Sequence, residues 1–202
     1  MCCRYYTDED PELRPIVEEM NRSTLSEEFR RRNAVIRTHG EVRPTEVSPA
    51  LASARTGRRA VFPMQWGYRG KTLIINARAE SAAEKPTFRE SWRMHRCILP
   101  ASGYYEWEHR TDTQGTRKTG EKYRFSAPGN GLIWLCGLYR MEEGLPHYVI
   151  LTREAEEHIR MIHDRMPLIL PGSLAVEWIR PGGNPEELIR EARTDILFEK
   201  EA

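Results

Sequence analysis

The chain has 202 residues, of which 39% are hydrophobic and five are tryptophan, so it can bury one substantial core. Its 31 Lys and Arg residues almost balance its 30 Asp and Glu residues, and the net charge of +1 demands no acidic partner. No run of about 18 apolar residues occurs, which argues against a membrane-spanning helix. Most of the basic residues are arginine, whose planar guanidinium suits phosphate, so the composition permits a nucleic-acid partner.

The cysteines and the N-terminal segment indicate the compartment. Cys2, Cys3, Cys97 and Cys136 lack the spacing of a zinc site or of a disulfide framework, so we expect reduced thiols. The start of the chain lacks the positively charged and apolar segments of a secretory signal. These features predict a cytoplasmic protein.

The chain begins Met-Cys-Cys-Arg, and an initiator methionine is normally removed when a small residue follows it. Removal would leave Cys2 with a free α-amine beside its thiol, with reference pKa values of about 8 and about 8.5. Such an amine forms an imine with an aldehyde, after which the thiol can close a five-membered ring. The amine could equally activate the thiol as a nucleophile. Alternatively, Cys2 and Cys3 are ordinary residues of a buried first strand.

The first half of the chain predicts helices and strands in alternation. Asp10-Pro11 opens a helix that runs to about Met20, and Ser23–Arg32 predicts a second. Residues 38–57 are rich in Gly, Pro, Ser and Thr and predict a long surface loop. The patterns that follow predict strands at Ala60–Trp66 and Thr72–Ala77 and a helix at Thr87–His95.

The second half is rich in strand patterns. The predicted strands are Cys97–Pro100, Tyr104–Trp107, Tyr123–Ser126, Leu132–Tyr139 and Tyr148–Thr152. Residues 109–121 predict an exposed hairpin loop, and Thr152 is placed to cap a helix that runs to about Met161. Residues 172–179 and 185–192 predict further helices. Together these elements predict a single α+β domain with a mostly antiparallel, barrel-like β core and flanking helices.

Polar side chains interrupt three of the apolar segments. Asn76 and Arg78 follow three aliphatic residues, where an amide can orient a substrate or simply satisfy the end of a strand. Glu106 lies among aromatic residues, and a desolvated carboxyl has a raised pKa suited to general acid–base work, unless it faces solvent. His163 follows a predicted helix and is either a proton donor or a structural histidine.

A metal site is not expected from these patterns. Glu154, His158 and His163 are conceivable ligands, but only Glu154 and His158 have the helical i, i+4 spacing that holds a metal, and a single pair is a weak signal. We therefore expect neither a metal nor another cofactor.

Several blocks, taken in order, resemble the SRAP (SOS-response-associated peptidase) family, whose members crosslink abasic sites in single-stranded DNA. The matching blocks are Met1-Cys2-x-Arg4, Gln65-Trp66-Gly67-Tyr68, Ile75-Asn76-Ala77-Arg78-Ala79-Glu80, Arg96-Cys97-Ile98-Leu99-Pro100-Ala101-Ser102-Gly103-Tyr104-Tyr105-Glu106-Trp107, Cys136-Gly137-Leu138-Tyr139, Ile150-Leu151-Thr152 and Ile162-His163-Asp164-Arg165-Met166-Pro167. The resemblance runs from residue 1 to about 180 of a single domain over 1–202. Residues 181–202, a predicted helix and tail, carry none of it.

The resemblance implies a role for eight residues. Catalytic positions of the family match Cys2, Asn76, Glu106 and His163, and DNA-contacting positions match Arg4, Pro44, Arg78 and Trp107. It implies a monomer that binds abasic single-stranded DNA, associates with the nucleoid when so bound, and forms a thiazolidine crosslink with possible lyase activity. The alternatives are an N-terminal-cysteine peptidase that releases its own Met1, and a noncatalytic single-strand-binding module.

The chain departs from the family pattern at two places near these residues. Cys3 stands where the usual motif has glycine, which places a second thiol beside Cys2. Glu41-Val42-Arg43-Pro44 replaces the more common Asn-Val/Ile-x-Pro block, so local DNA contacts are expected to differ.

Overall fold

The computed structural model describes residues 2–111 and 117–201 and has the expected α+β architecture with a mostly antiparallel, barrel-like β core. The strands of the described residues are β1 (Arg4–Thr7), β2 (Gly40–Val42), β3 (Val47–Ser53), β4 (Arg59–Trp66), β5 (Asn76–Arg78), β6 (Arg96–Ala101), β7 (Gly103–Thr111), β8 (Arg117–Ser126), β9 (Ile133–Glu142), β10 (Leu145–Glu154), β11 (Arg165–Pro167), β12 (Ile169–Leu170) and β13 (Leu197–Lys200). The α-helices are α1 (Leu13–Asn21), α2 (Thr24–Arg31), α3 (Ala79–Ala82), α4 (Pro86–Met94), α5 (Glu157–Arg160), α6 (Ala175–Trp178) and α7 (Pro185–Ile189).

Five strands close into a barrel in the order β10–β4–β3–β6–β9, with β9 pairing back onto β10. All of these pairings are antiparallel except that of β4 with β10. β10 also pairs with β5 in parallel and with β11 in antiparallel fashion. β10 thereby brings the segments that hold Asn76, Arg78 and Arg165 to the same part of the barrel.

A second sheet of five strands has the order β13–β8–β7–β1–β2. β1 lies inside this sheet, because Tyr5 pairs with Val42 of β2 on one side and with Tyr104 of β7 on the other. A strand with neighbours on both sides has its backbone hydrogen bonds satisfied along both edges. The segment beside Cys2 is therefore an internal strand rather than a frayed end.

The two faces of the barrel strands bury different partners, as the alternation of side chains requires. Residues such as Trp66, Leu99 and Tyr148 pack with Cys2, Tyr5, Tyr104 and Phe125 from the second sheet. The intervening residues pack against the helices, with contributions from Met20 of α1, Trp92 of α4 and Trp178 of α6.

Arg96 joins two of the helices to the barrel. Its side chain is almost fully buried at the start of β6, and the guanidinium donates to the carbonyl oxygens of Trp92 and Arg93 at the end of α4. It also donates to the carbonyls of Trp178, the last residue of α6, and of Arg180, which follows that helix. These bonds satisfy helix-end carbonyls that have no partner inside the helix.

The prediction of a loop over residues 38–57 is wrong, because this segment contains β2 and β3. β3 pairs with both β4 and β6, and its side chains are buried from Val47 to Ala52. Pro49 lies opposite Pro63 of β4. The buried Ser48 hydroxyl accepts a hydrogen bond from the Tyr5 hydroxyl and shares another with the Tyr148 hydroxyl. The small and turn-forming residues that indicated a loop instead allow close packing in the barrel.

Three further boundaries differ from the expectation. Thr152 lies within β10, which continues to Glu154, and the helix that follows is only α5. The strand expected at Thr72–Ala77 begins at Asn76, since Ile74 makes only an isolated bridge to Tyr68. Residues 109–111 and 117–121 extend β7 and β8 rather than forming a loop, while 112–116 lie outside the described residues.

The first two helices match their predicted positions within about two residues, and the Ser23 hydroxyl accepts the Leu25 amide as an N-cap. In the part of the chain that the structure describes, no helix has both the length and the apolar character needed to cross a bilayer.

Candidate active site

Cys2 and Asn76, which are 74 positions apart in the sequence, meet in the core. Cys2 is fully buried, and the Asn76 side-chain amide donates to the Cys2 carbonyl oxygen at 2.8 Å. The Trp66 indole holds the adjacent backbone by donating to the Ile75 carbonyl at 2.9 Å. Among the described residues, the Asn76 Oδ1 atom is buried and has no hydrogen-bond partner. It can therefore accept a hydrogen bond from a bound substrate or from the N-terminal amine.

Glu106 is the buried carboxyl of this cluster. Its side chain, on β7, is 3% exposed, and burial raises its pKa to about 7. Burial also raises the pKa of the Cys2 thiol, and the negative charge of Glu106 raises it further. Near neutral pH the carboxyl is present in both forms, so it can give a proton in one step and accept one in another.

His163 lies between α5 and β11 and is 3% exposed. Its Nδ1 atom accepts the Arg165 backbone N–H at 2.9 Å, which places the proton of the neutral ring on Nε2. Burial lowers the pKa of His163 to about 4, so the imidazole is neutral at pH 7. His109 packs on this ring, and its backbone N–H donates to the Ile162 carbonyl at 3.0 Å. That bond ties the His163 segment to β7, the strand that carries Glu106.

A cluster of cations surrounds Glu41 on β2. Arg4, Arg43 and Lys122 each donate to its carboxylate, at 3.1, 3.0 and 3.0 Å. The Arg4 guanidinium also lies over the Trp107 ring at 5.3 Å. Two of the expected DNA contacts, Arg4 and Trp107, are thus adjacent, and one shared carboxylate holds the three cations in place.

Arg78, the last residue of β5, opens onto a cavity of about 350 Å³ that it lines with Glu154, Arg160, Asp164 and Arg165. Arg165 is held by a two-pronged ion pair with Glu80, at 2.8 and 2.9 Å. This fork fixes the backbone that donates to His163. A larger cavity of about 580 Å³, near Asp8 and His39, contains none of the eight predicted site residues.

The eight predicted residues therefore form connected groups rather than one compact cluster. Cys2, Asn76 and Glu106 form the centre, His163 adjoins it through β7, and Arg4 with Trp107 lies on the β1–β7 side. Pro44 is half-buried in the turn after β2, one residue from Arg43.

A family model described as SOS response associated peptidase (SRAP) matches residues 1–198. The chain belongs to the SRAP family. Among curated relatives of this SRAP chain, Abasic site processing protein YoaM of Bacillus subtilis is 41% identical over 113 residues, covering 54% of this chain and 48% of its own length. Abasic site processing protein YedK of Escherichia coli is 32% identical over 137 residues, covering 64% and 60%. The chain thus spans about half the length of the first of these relatives.

Solved structures share the SRAP chain's fold. A Bacteroides thetaiotaomicron protein superposes with a TM-score of 0.73 at 20% identity, covering 100% of this chain and 92% of its own. A phage-related protein from Bordetella bronchiseptica gives the same TM-score and identity, covering 99% and 94%. At this identity the likeness concerns the fold alone.

Sequence reasoning missed several residues that shape the site of this SRAP protein. Glu41 and Lys122 organise Arg4, yet nothing local in the sequence joins residues 81 positions apart. Glu80 and Arg165 both stand in the family blocks, and their opposite charges were a usable signal for the ion pair that fixes His163. His109 was assigned to a loop, so its contact with His163 was not anticipated.

Proposed function

We propose that this SRAP protein processes abasic sites in single-stranded DNA by forming a covalent thiazolidine through Cys2. The observation that carries the proposal is the cluster in which the Asn76 amide holds the Cys2 carbonyl beside a carboxyl of pKa about 7. The relatives named Abasic site processing proteins support the choice of an abasic aldehyde as substrate.

The chemistry needs the free α-amine of Cys2 after Met1 has been removed. The amine attacks C1′ of the ring-opened sugar and gives a carbinolamine, and protonated Glu106 donates the proton with which the hydroxyl leaves as water. The Cys2 sulfur then attacks the iminium carbon while its proton passes to the Glu106 carboxylate. One aldehyde, one amine and one thiol thereby give one thiazolidine and one water.

His163 acts in this scheme as a neutral imidazole. Its lowered pKa leaves little imidazolium at pH 7, so general-acid steps fall mainly to Glu106. The neutral ring can accept, on Nδ1, the C2′ proton that an iminium at C1′ acidifies, and the Arg165 N–H then gives up its hydrogen bond to that atom. Loss of that proton with the 3′ phosphate is β-elimination, which is the lyase activity of the proposal.

DNA is held through its backbone and through stacking. Arg4 and Arg78 suit phosphate contacts, and Trp107 with Pro44 offers apolar surface beside them. Because phosphate contacts carry no sequence information, recognition is expected to depend on the strand and the lesion rather than on the base sequence.

The test is intact-mass analysis of the protein mixed with an abasic oligonucleotide. Wild type is expected to form a heat-stable adduct that Cys2→Ala abolishes, while Cys2→Ser retains only an imine that borohydride can trap. Cys3→Ala is the matched control, because it removes the neighbouring thiol and leaves the amine and thiol of Cys2.

A second control blocks the amine without changing the thiol. A tag that remains peptide-bonded to Cys2 is expected to stop adduct formation, since an amide nitrogen cannot form an imine. Wild-type adduct yield from Cys2→Ala would remove the basis of the proposal, and peptide release without an adduct would favour the peptidase alternative.

A further inference from the structure

Beside His163 lies a second histidine that the proposed reaction does not use. The pairing of β7 with β8 shifts register between Trp107 and His109, and a bulge of this kind re-aims the side chain that follows it. The His109 ring lies against the His163 ring with their centroids 4.0 Å apart. The His109 N–H bond to the Ile162 carbonyl holds the two backbones at this separation.

Asp164 completes a set of three metal-ligand side chains. One ligand atom from each of His109, His163 and Asp164 lies within 4.8 Å of the other two. The edge between His163 Nδ1 and Asp164 Oδ1 measures 3.0 Å. A tetrahedral ion with bonds of about 2.0–2.1 Å has ligand edges of roughly 3.3 Å, so this edge needs little change. The exposed His109 can close the remaining distance by side-chain rotation.

The contact between His163 and Asp164 brings two acceptor atoms together. Nδ1 accepts the Arg165 N–H and therefore carries no proton of its own. The Asp164 oxygen, 3.0 Å away, is consequently a second acceptor beside an acceptor nitrogen. Two acceptors repel at that distance, and a cation shared between them turns the repulsion into attraction.

We propose that His109, His163 and Asp164 form a binding site for a divalent transition metal of the Zn²⁺ class. Two imidazoles and one carboxylate are a common zinc set, and three protein ligands leave a position for water. Mg²⁺ and Ca²⁺ prefer oxygen ligands and are disfavoured here. The nearby charge of Arg165 is offset by its fork with Glu80.

The metal takes the Nδ1 lone pair that the Arg165 amide now uses. That exchange costs one hydrogen bond, so the site is expected to load and unload reversibly rather than to hold a permanent structural ion. The sequence expectation of no metal rests on Glu154, His158 and His163, of which only Glu154 and His158 have helical i, i+4 spacing. In the structure Glu154 lies on β10 and the His158 ring contacts the Ile196 carbonyl, so that pair does not share a helix.

The effect of metal binding on the reaction rests on the proposed function. A metal on His163 removes the base of the lyase step but leaves Cys2, Asn76 and Glu106 unliganded. Occupancy is therefore expected to suppress strand cleavage while crosslinking continues, so that the metal favours the stable adduct.

Metal binding is tested without DNA, by calorimetric titration of chelator-treated protein with Zn²⁺ and by the absorption spectrum with Co²⁺. The background is Cys2→Ser with Cys3→Ser, so that neither N-terminal thiol can serve as a ligand. We expect one equivalent to bind and a Co²⁺ spectrum without thiolate charge-transfer bands. His109→Phe, which keeps an aromatic ring on His163, and Asp164→Asn are each expected to weaken binding by at least about tenfold.

His158→Phe is the matched control, since it removes an imidazole outside the cluster. Its affinity should equal that of the background protein. No binding, or equal binding by His109→Phe, overturns the proposal. Weaker metal binding by both His109→Phe and Asp164→Asn supports the site. Because this test uses no DNA, its result is independent of whether the proposed function fails in the abasic-DNA assays.

Discussion

At the scale of the residue, the site contains two buried titratable side chains whose pKa values move in opposite directions for the same reason. Burial disfavours the charged form, which raises the pKa of Glu106 to about 7 and lowers that of His163 to about 4. Groups whose pKa values are pushed apart in this way are suited to separate acid and base roles. Here Glu106 holds the available proton at neutral pH, while His163 is a neutral base whose Nδ1 lone pair accepts the Arg165 N–H.

The rate of crosslinking should therefore depend on Glu106. Glu106→Gln is expected to slow adduct formation by about 10²-fold or more, because it loses both proton donation and proton acceptance. The dependence of the rate on pH near 7 should disappear with it. Glu108→Gln, two positions along β7, is the control and should keep the wild-type profile. An unchanged profile in Glu106→Gln would assign the proton transfers to another group.

The raised pKa of Glu106 should also make the free energy of unfolding depend on pH. The raised pKa of Glu106 means that the unfolded carboxyl ionises first as pH rises, so the folded state loses stability between about pH 4.5 and 7. Below pH 4.5 no penalty applies, and above pH 7 it is on the order of 3 kcal/mol. Glu106→Gln is expected to exceed wild type in denaturant resistance at pH 8 and to match it near pH 4. An equal difference in denaturant resistance between Glu106→Gln and wild type at both pH values would contradict this expectation.

At the scale of the element, the cations of β1, β8 and the turn after β2 share one acceptor. Glu41 holds Arg4, Arg43 and Lys122, so part of their charge is already neutralised in the absence of the proposed DNA partner. The family's more common Asn at this position carries no such charge. Glu41 is thus expected to limit nonspecific affinity for single strands.

Glu41→Gln should tighten single-strand binding at low salt and steepen its dependence on salt. Each additional phosphate contact adds about 0.7 to the slope of log K against log salt for a single strand, so a change approaching one unit is expected. Glu28→Gln is the matched control, because Glu28 also pairs with two arginines, on α2. Fluorescence anisotropy at several salt concentrations measures the affinity and its salt dependence for both variants. Equal changes in the two variants would show an effect of net charge alone.

The sequence predicts the position of a helix or strand well where only one of its faces is buried, and poorly where both faces are buried. α1, α2 and α4 carry an apolar stripe and were placed within about two residues. β3 lacks alternation because it is buried on both faces, and its Ala, Ser and Pro residues mimic a loop. Thr152 has the chemistry of a helix cap, but tertiary pairing of β10 with β5 and β11 outweighs that local preference.

At the scale of the whole molecule, Arg96 connects the barrel to the helical layer through hydrogen bonds to backbone carbonyl groups and a contact with the Trp178 ring. Arg96→Met keeps the length of the side chain but leaves helix-end carbonyls of α4 and α6 buried without donors. The expected loss is about 3–5 kcal/mol of unfolding free energy, seen as a lower urea midpoint. Arg93→Met, on the exposed side of α4, is the control and should change stability little. A small effect at Arg96 would mean that the carbonyls find other donors.

The site as a whole could be predicted only in part. The family blocks identify Cys2, Asn76, Glu106 and His163 as candidates, because each block is a short local pattern. Their arrangement depends on pairings between distant strands, such as β5 with β10 and β1 with β7, which no local pattern encodes. The Glu41 cluster and the His109 contact belong to that second class.

The position of β1 also sets an order of events during synthesis. β1 pairs with residues 103–105, so the strand next to Cys2 cannot complete its sheet until about a hundred further residues have been made. At roughly 5–20 residues per second this leaves several seconds in which the segment is unfolded. Once the sheet has formed, Cys2 is fully buried beside β1, so an aminopeptidase finds less extended chain to bind. Under the proposed function, methionine excision is therefore expected on the nascent chain, before β1 pairs with β7.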